Sequence, residues 1–151
     1  MTKEYVRANV TADMLIPNEN GEILLIKRNN EPFQGLYAIP GGFLEVHQET
    51  VEQCAMREAQ EETGLTVEIE RLIGVYSHPK RDPRWHNVSA VYLAKTITMK
   101  QSAKALAGDD AGEVLWVDPQ GDEYHQLSIA FDHRDIIDDA LEFGINLVAA
   151  K

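Results

Sequence analysis

Three carboxylates, Glu58, Glu61 and Glu62, recur at i, i+3 and i+4 in the segment running from Val51 to Thr63. On an α-helix that spacing puts them on one side, one turn apart. Val51, Cys54 and Ala55 set the apolar stripe of the segment, and at about 100° per residue Glu58 and Glu62 fall near its middle, with Glu61 beside it. A helix that needs only solubility turns its acids away from that stripe, to where Gln53 and Gln60 lie, because burying an unpaired carboxylate is costly. Clustered carboxylate oxygens facing one region suit a hard divalent cation, Mg2+ or Mn2+, whose remaining positions go to water and substrate phosphate. Ordinary solvated glutamates, paired with a neighbouring cation, are the competing reading.

The helix itself is marked at both ends. Thr50 with Gln53 three residues on forms a capping box, and Gly64 closes the pattern. Ahead of it, residues 5–16 alternate apolar and polar, which predicts a strand with one buried face. Pro17 and Asn-Glu-Asn-Gly (18–21) make a turn into a second apolar strand, EILLIK (22–27), hairpin-paired with the first. A polar loop covers 28–35. In YAIPGG (37–42), Pro40 and two glycines end regular structure and let backbone approach a ligand. Beyond the helix, 65–76 and 87–94 read as strands separated by the loop SHPKRDPRWH (77–86). A longer loop spans 99–112, then a strand (113–118) and a last helix (128–143) with Ile136, Ile137, Ala140, Leu141 and Phe143 inward. Strands and helices interleave without a βαβ rhythm, so an α+β sandwich, a mixed sheet flanked by helices, is the expected fold class.

The chain has 151 residues, 44% of them hydrophobic. That suffices for one domain, taken as 1–151. No apolar run is long enough for a signal peptide or a membrane span, and the only cysteine, Cys54, excludes an intramolecular disulfide. A cytoplasmic protein is expected. The formal net charge of −11 argues against nucleic-acid backbones and anionic membranes as partners. A phosphate-bearing ligand must therefore be met locally, by bound cations and by a short basic segment.

Residues 41–65, GGFLEVHQETVEQCAMREAQEETGL, resemble the signature of the Nudix hydrolases. The match at Glu49, Arg57, Glu58, Ala59, Glu61, Glu62, Gly64 and Leu65 is complete, except that six residues separate Gly42 from Glu49 where the family pattern has five. The resemblance implies that Glu58 and Glu62 are the principal metal ligands, Glu61 an auxiliary one, and Gly42 a metal-facing backbone position. It also implies that Arg57 and Glu49 pair to orient the cluster. The implied reaction is water attack on phosphorus, the cation lowering the pKa of the attacking water.

Lys80, Arg81 and Arg84 concentrate charge in an acidic chain, with Tyr76 and Trp85 nearby; arginine suits phosphate contact and aromatics suit base stacking. The stretch VYSHPKRDPRWHNVSAVYLA is similar to the ADP-ribose pyrophosphatase branch of the family, as are 107–117 and 130–141. Trp85 stands where that branch commonly has glycine. Arg28, Tyr76, Arg81, Arg84 and Trp85 are the substrate-binding candidates. Asp109, Asp110 and Glu113 are the candidates for the late-loop carboxylate that often serves such enzymes as base. The implied ligand is a small nucleotide, most simply ADP-ribose. A housecleaning nucleoside triphosphate pyrophosphohydrolase and a non-catalytic nucleotide sensor are the alternatives, and a homodimer is the assembly implied by analogy. Cys54, Phe33, Tyr37 and the histidines read as packing or surface residues, with His133 suited to the inner face of the last helix.

Overall fold

The computed structural model describes residues 2–108 and 111–144. In chain order its elements are β1 (Asn9–Leu15), β2 (Ile23–Arg28), β3 (Tyr37–Ala38), β4 (Gly41–Phe43), α1 (Val51–Thr63), β5 (Ile69–Tyr76), β6 (Asn87–Ala94), α2 (Met99–Ser102), β7 (Ala111–Val117), α3 (Asp122–Gln126) and α4 (His133–Glu142). A mixed sheet runs β4-β1-β6-β5, with β1 and β6 parallel, and a smaller antiparallel sheet runs β3-β2-β7. Helices flank them, giving the expected α+β class.

From Ala12 onward β1 is buried on both faces, not on one. The cause is its inner position between β4 and β6, with helices above and below. Its even residues Ala12 and Met14 join Cys54, Ala55 and Ala59 of α1 in one core, while Leu15 joins Val91, Leu93, Ile136, Ile137 and Ala140 in the other. A polar residue on the odd parity of β1 is therefore inside the molecule.

The hairpin between the first two strands survives only at its turn. Pro17 bridges Ile23, and the buried Asn18 side chain accepts from the Asn20 and Glu22 backbone. Beyond that bridge β2 departs to pair with β3 and β7. The segment 37–43 does not end regular structure: Pro40 separates two short strands, the second of which pairs with β1. The 99–112 loop contains α2 and the start of β7, and α3 adds a turn of helix with no expected counterpart.

The last helix begins at His133, five residues later than its periodicity suggested, because 128–130 run extended along β3. The Tyr37 amide donates to the Ser128 carbonyl at 3.0 Å and the Ala130 amide to the Tyr37 carbonyl at 2.8 Å. Ile136, Ile137 and Ala140 face inward as expected, whereas Phe143 is 70% exposed because it lies one residue past the helix end. Among the described residues no helix is long and apolar enough to cross a membrane.

Candidate active site

Helix α1 forms as its caps dictate. The Thr50 side chain accepts from the Gln53 amide at 3.2 Å, the Gln53 side chain accepts from the Thr50 amide at 2.9 Å, and Gly64 ends the helix in the left-handed region at φ 73°. Packing Cys54, Ala55 and Ala59 into the core half-buries Glu58 and Glu62 and leaves Glu61 exposed.

The two half-buried glutamates lie against the glycine pair of β4. The Gly41 amide donates to Glu62 Oε2 at 3.0 Å. A methyl group on Gly42 would sit 2.4 Å from the Glu58 carboxyl carbon, and one on Gly41 would sit 2.1 Å from Asp13 Oδ1 and 2.5 Å from the Ala12 carbonyl. At Gly41 the clash includes backbone, so hydrogen alone fits; at Gly42 it is with the Glu58 carboxylate, which a methyl group would push aside. Gly42→Ala is expected to displace the Glu58 carboxylate and lower turnover roughly 10- to 100-fold, a size typical of disturbed ligand support. A far-ultraviolet dichroism spectrum matching wild type would show that the fold had survived.

Arg57 organises the acids around it. Its Nε and one terminal nitrogen donate to Glu49 at 2.9 and 2.8 Å, the other terminal nitrogen donates to Glu58 at 2.9 Å and Glu61 at 3.1 Å, and the Phe43 carbonyl accepts at 3.1 Å. This hydrogen bonding holds Glu49 down at about 2. Burial pushes Glu62 up to about 8, with the charges of Glu58 and Asp13 adding, and raises Glu58 against the pull of Arg57. Burial likewise pushes Cys54 up to about 12, so its thiol is no nucleophile.

The extra residue between Gly42 and Glu49 is absorbed in a surface turn. His47 takes φ 68° there, the Gln48 amide donates to the Glu45 carbonyl at 3.0 Å, and the Glu45 amide donates to Glu49. Gly42 consequently keeps its place beside Glu58, and its carbonyl accepts from the Cys54 thiol at 3.7 Å.

A pocket of about 330 Å³ opens beside this cluster, lined by Asp13, Gly41, Gly42, Glu58 and Glu62 together with Arg28, Arg81 and Arg84. The volume is at the lower end of the range for small-molecule sites. Arg81 grips Asp132 through two hydrogen bonds of 2.8 and 2.7 Å, and Arg84 grips Asp82 at 3.1 and 2.8 Å. Arg28 donates to the Pro32 carbonyl at 2.8 Å and lies 4.9 Å from the Phe131 ring centre. Burial and the charge of Arg84 lower its pKa.

Two other substrate-binding candidates lie outside the pocket lining. Tyr76 donates to Asp139 on α4 at 3.1 Å, and Trp85 is 55% exposed, its ring centre 6.1 Å from that of Phe43 in a T-shaped pair. Glu113 stands on β7 opposite Lys27, accepts from the Tyr37 hydroxyl, and is also outside the lining. Asp109 and Asp110 fall outside the described residues.

The pocket adds residues the sequence did not single out, chiefly Thr11, Asp13, Asn87 and Phe131, and gives His133 a place in it. Asp13 accepts from the Ser89 hydroxyl. His133 Nδ1 accepts from the Ile39 amide at 3.0 Å, so its proton belongs on Nε2, 3.9 Å from Asp13. Burial depresses its pKa and keeps the ring neutral. The alternation of β1 was the available signal for Asp13 and Thr11, and only strand order shows that this parity faces a cavity.

Mixed sheets flanked by helices, with the glutamates of the first long helix at a pocket, match the fold of the Nudix hydrolases as a class. The family model of the NUDIX domain matches residues 7–140, and the chain belongs to that family. It is 43% identical to an ADP-ribose pyrophosphatase of Methanocaldococcus jannaschii, over 92% of this chain and 76% of that one. It is 32% identical to an ADPR-responsive transcriptional repressor of Acinetobacter baylyi, over 91% of this chain but 54% of the repressor. Among solved structures, a bifunctional NMN adenylyltransferase/ADP ribose pyrophosphatase from Francisella tularensis complexed with AMP and a manganese ion superposes with a TM-score of 0.79. That pair is 29% identical, over 93% of this chain and 43% of the bifunctional enzyme.

Proposed function

We propose that this chain hydrolyses the diphosphate linkage of ADP-ribose, using a divalent cation held by Glu58 and Glu62. The observation that carries the reading is the pocket itself, whose lining brings half-buried carboxylates and three arginines together. The donor set fits Mg2+ or Mn2+: the oxygens are hard, and Glu62 lies half-buried beside two like charges with a backbone amide as its hydrogen-bond donor. Among the described residues no group of three or more acidic, histidine or cysteine side chains could hold a metal ion. The remaining positions of an ion held by Glu58 and Glu62 would be open to water and substrate oxygens. When bound, the cation neutralises phosphate charge and makes water a competent nucleophile near neutral pH.

The chain's own residues bind and orient. Arg81 and Arg84 each spend two of five N–H donors on an aspartate, which fixes the guanidinium plane and leaves donors for phosphate oxygens. Arg57 keeps Glu58 aimed along β4 and ties it to Glu49 and Glu61, so Glu61 serves as an auxiliary ligand at most. A cytoplasmic setting remains the expectation from the sequence, and a homodimer the assembly suggested by family analogy.

The kinship to a repressor supports a second reading, a sensor that binds ADP-ribose without cleaving it. All three glutamates and Arg57 are present and assembled, which favours catalysis. The deciding assay is magnesium-dependent turnover of ADP-ribose, NADH, diadenosine polyphosphates and oxidised nucleoside triphosphates. AMP and ribose 5-phosphate from ADP-ribose are the expected products. Inorganic pyrophosphate from a triphosphate would replace the substrate, and tight binding without turnover would favour the sensor.

A further inference from the structure

Thr11 and Asn87 present an unmet hydrogen-bonding demand at the pocket floor. The two strands are parallel neighbours with Asn9 opposite Asn87 and Thr11 opposite Ser89, so Thr11 and Asn87 are diagonal partners on one face of the sheet. That face is apolar further along, where Leu15, Val91 and Leu93 enter the core. It turns polar only where it meets the cavity, which both residues line. Asn87 is 1% exposed. Its Nδ2 donates to Asp82 Oδ2 at 2.6 Å, and because a carboxylate can only accept there, this contact fixes the orientation of the carboxamide. Oδ1 is thereby turned away from Asp82, and among the described residues neither it nor Thr11 Oγ1 has a hydrogen-bond partner. Two orphaned, buried polar atoms on residues that line a cavity are costly in a resting fold and become useful when a ligand completes them.

The missing partner must donate to Asn87 Oδ1 and can either accept from or donate to Thr11, which describes a neutral hydroxyl. Its distance from the chemistry narrows the choice. Thr11 and Asp13 are alternate residues of one strand, about 7 Å apart, and Asp13 abuts Gly41, whose amide holds Glu62. A group attached directly to the diphosphate reaches that far, whereas a base lies one sugar further on. Building on the ADP-ribose reading, we infer that Thr11 and Asn87 form a subsite for a hydroxyl of a ribosyl group bonded to the diphosphate, and so help to select sugar-bearing diphosphates over simple anhydrides.

Thr11→Val tests this with little risk to the fold, since it removes a hydroxyl that has no partner and keeps the volume. Expected results are unchanged or higher thermal stability, a KM for ADP-ribose raised roughly tenfold, and kcat within about twofold of wild type. Asn87→Leu should raise KM in the same way, at some cost in stability from the lost Asp82 contact. The penalty of Thr11→Val should vanish on the ADP-ribose counterpart that lacks the partnered ribosyl hydroxyl, and persist on the hypoxanthine counterpart that lacks the base amino group. An unchanged KM would overturn the subsite and leave water as the partner of these atoms. A penalty that vanished only on the hypoxanthine counterpart would give the site to the base and overturn the ribosyl assignment. If wild type did not cleave ADP-ribose, the substrate reading would fail separately. Calorimetric binding of ribose 5-phosphate would then decide the subsite, equal affinity of wild type and Thr11→Val counting against it.

Discussion

Glu62→Gln is expected to lower magnesium-dependent turnover about 10³-fold while the protein stays folded. Glutamine keeps the volume of the side chain and an oxygen able to accept from the Gly41 amide, which lies 3.0 Å from Glu62 Oε2. What it removes is the charge and with it the hard anionic ligand proposed for the cation. Stabilisation of transition-state charge by a bound cation is worth several kcal/mol, and at about 1.4 kcal/mol per tenfold that converts to roughly three orders of magnitude. Glu61→Gln supplies the contrast. Glu61 is exposed and shares Arg57 with Glu58, so its loss should reduce turnover by about tenfold or less and chiefly weaken magnesium affinity. Kinetics over a magnesium titration separate the two effects, since a weakened auxiliary ligand is rescued at high magnesium and a missing principal one is not. A Glu62→Gln protein within tenfold of wild type at saturating magnesium would remove Glu62 from the ligand set.

The helix that carries these acids was legible because its signals are local. Capping by Thr50 and Gln53, the Gly64 stop and the position of Glu58 and Glu62 on the apolar stripe all lie within fifteen residues, and the structure realises each of them. Asn87–Ala94 was likewise readable as a strand from its apolar pattern and flanking loop. The remainder of the pocket depends on contacts distant in sequence. Asp13 and Thr11 look like the solvent side of an alternating strand until β1 is placed between β4 and β6. The 128–130 segment continues a helical periodicity but is captured by backbone hydrogen bonds to Tyr37. Tyr76 reads as a stacking residue beside a basic loop, yet its hydroxyl bonds Asp139 on a helix more than sixty residues away. Local propensity yields to such pairings because a buried backbone group must find its partner wherever topology offers one.

In the absence of divalent cation, wild-type stability relative to Glu62→Gln is expected to fall as pH rises from about 5 to about 8. Burial, with the nearby charges of Glu58 and Asp13, raises the Glu62 carboxyl from its ordinary 4.5 to about 8 in the folded chain. The native state therefore holds a proton that the unfolded state releases through most of that interval. A group raised on folding contributes fully below its unfolded pKa and loses the contribution as pH climbs through the folded value. The displacement corresponds to at most about 5 kcal/mol, and residual exposure of the side chain brings the expected loss nearer half of that. Two other groups work in the opposite sense and must be separated from it. Glu49, held at about 2, loses its contribution only in stronger acid, below the interval. His133, depressed by burial, favours the fold as pH rises past its unfolded value near 6.5, but it does so equally in both proteins and cancels in their difference. Urea unfolding at pH 5, 6.5 and 8 with EDTA present therefore reads Glu62 together with its coupling to Glu58, whose raised carboxyl works in the same sense. Saturating magnesium should abolish the slope, because the cation takes the place of the proton and stabilises the native state most where the carboxylate is already ionised. A difference between wild type and Glu62→Gln that stayed level with pH in EDTA would mean that Glu62 is hydrated like a surface acid, and would remove the desolvated anionic ligand proposed for the cation.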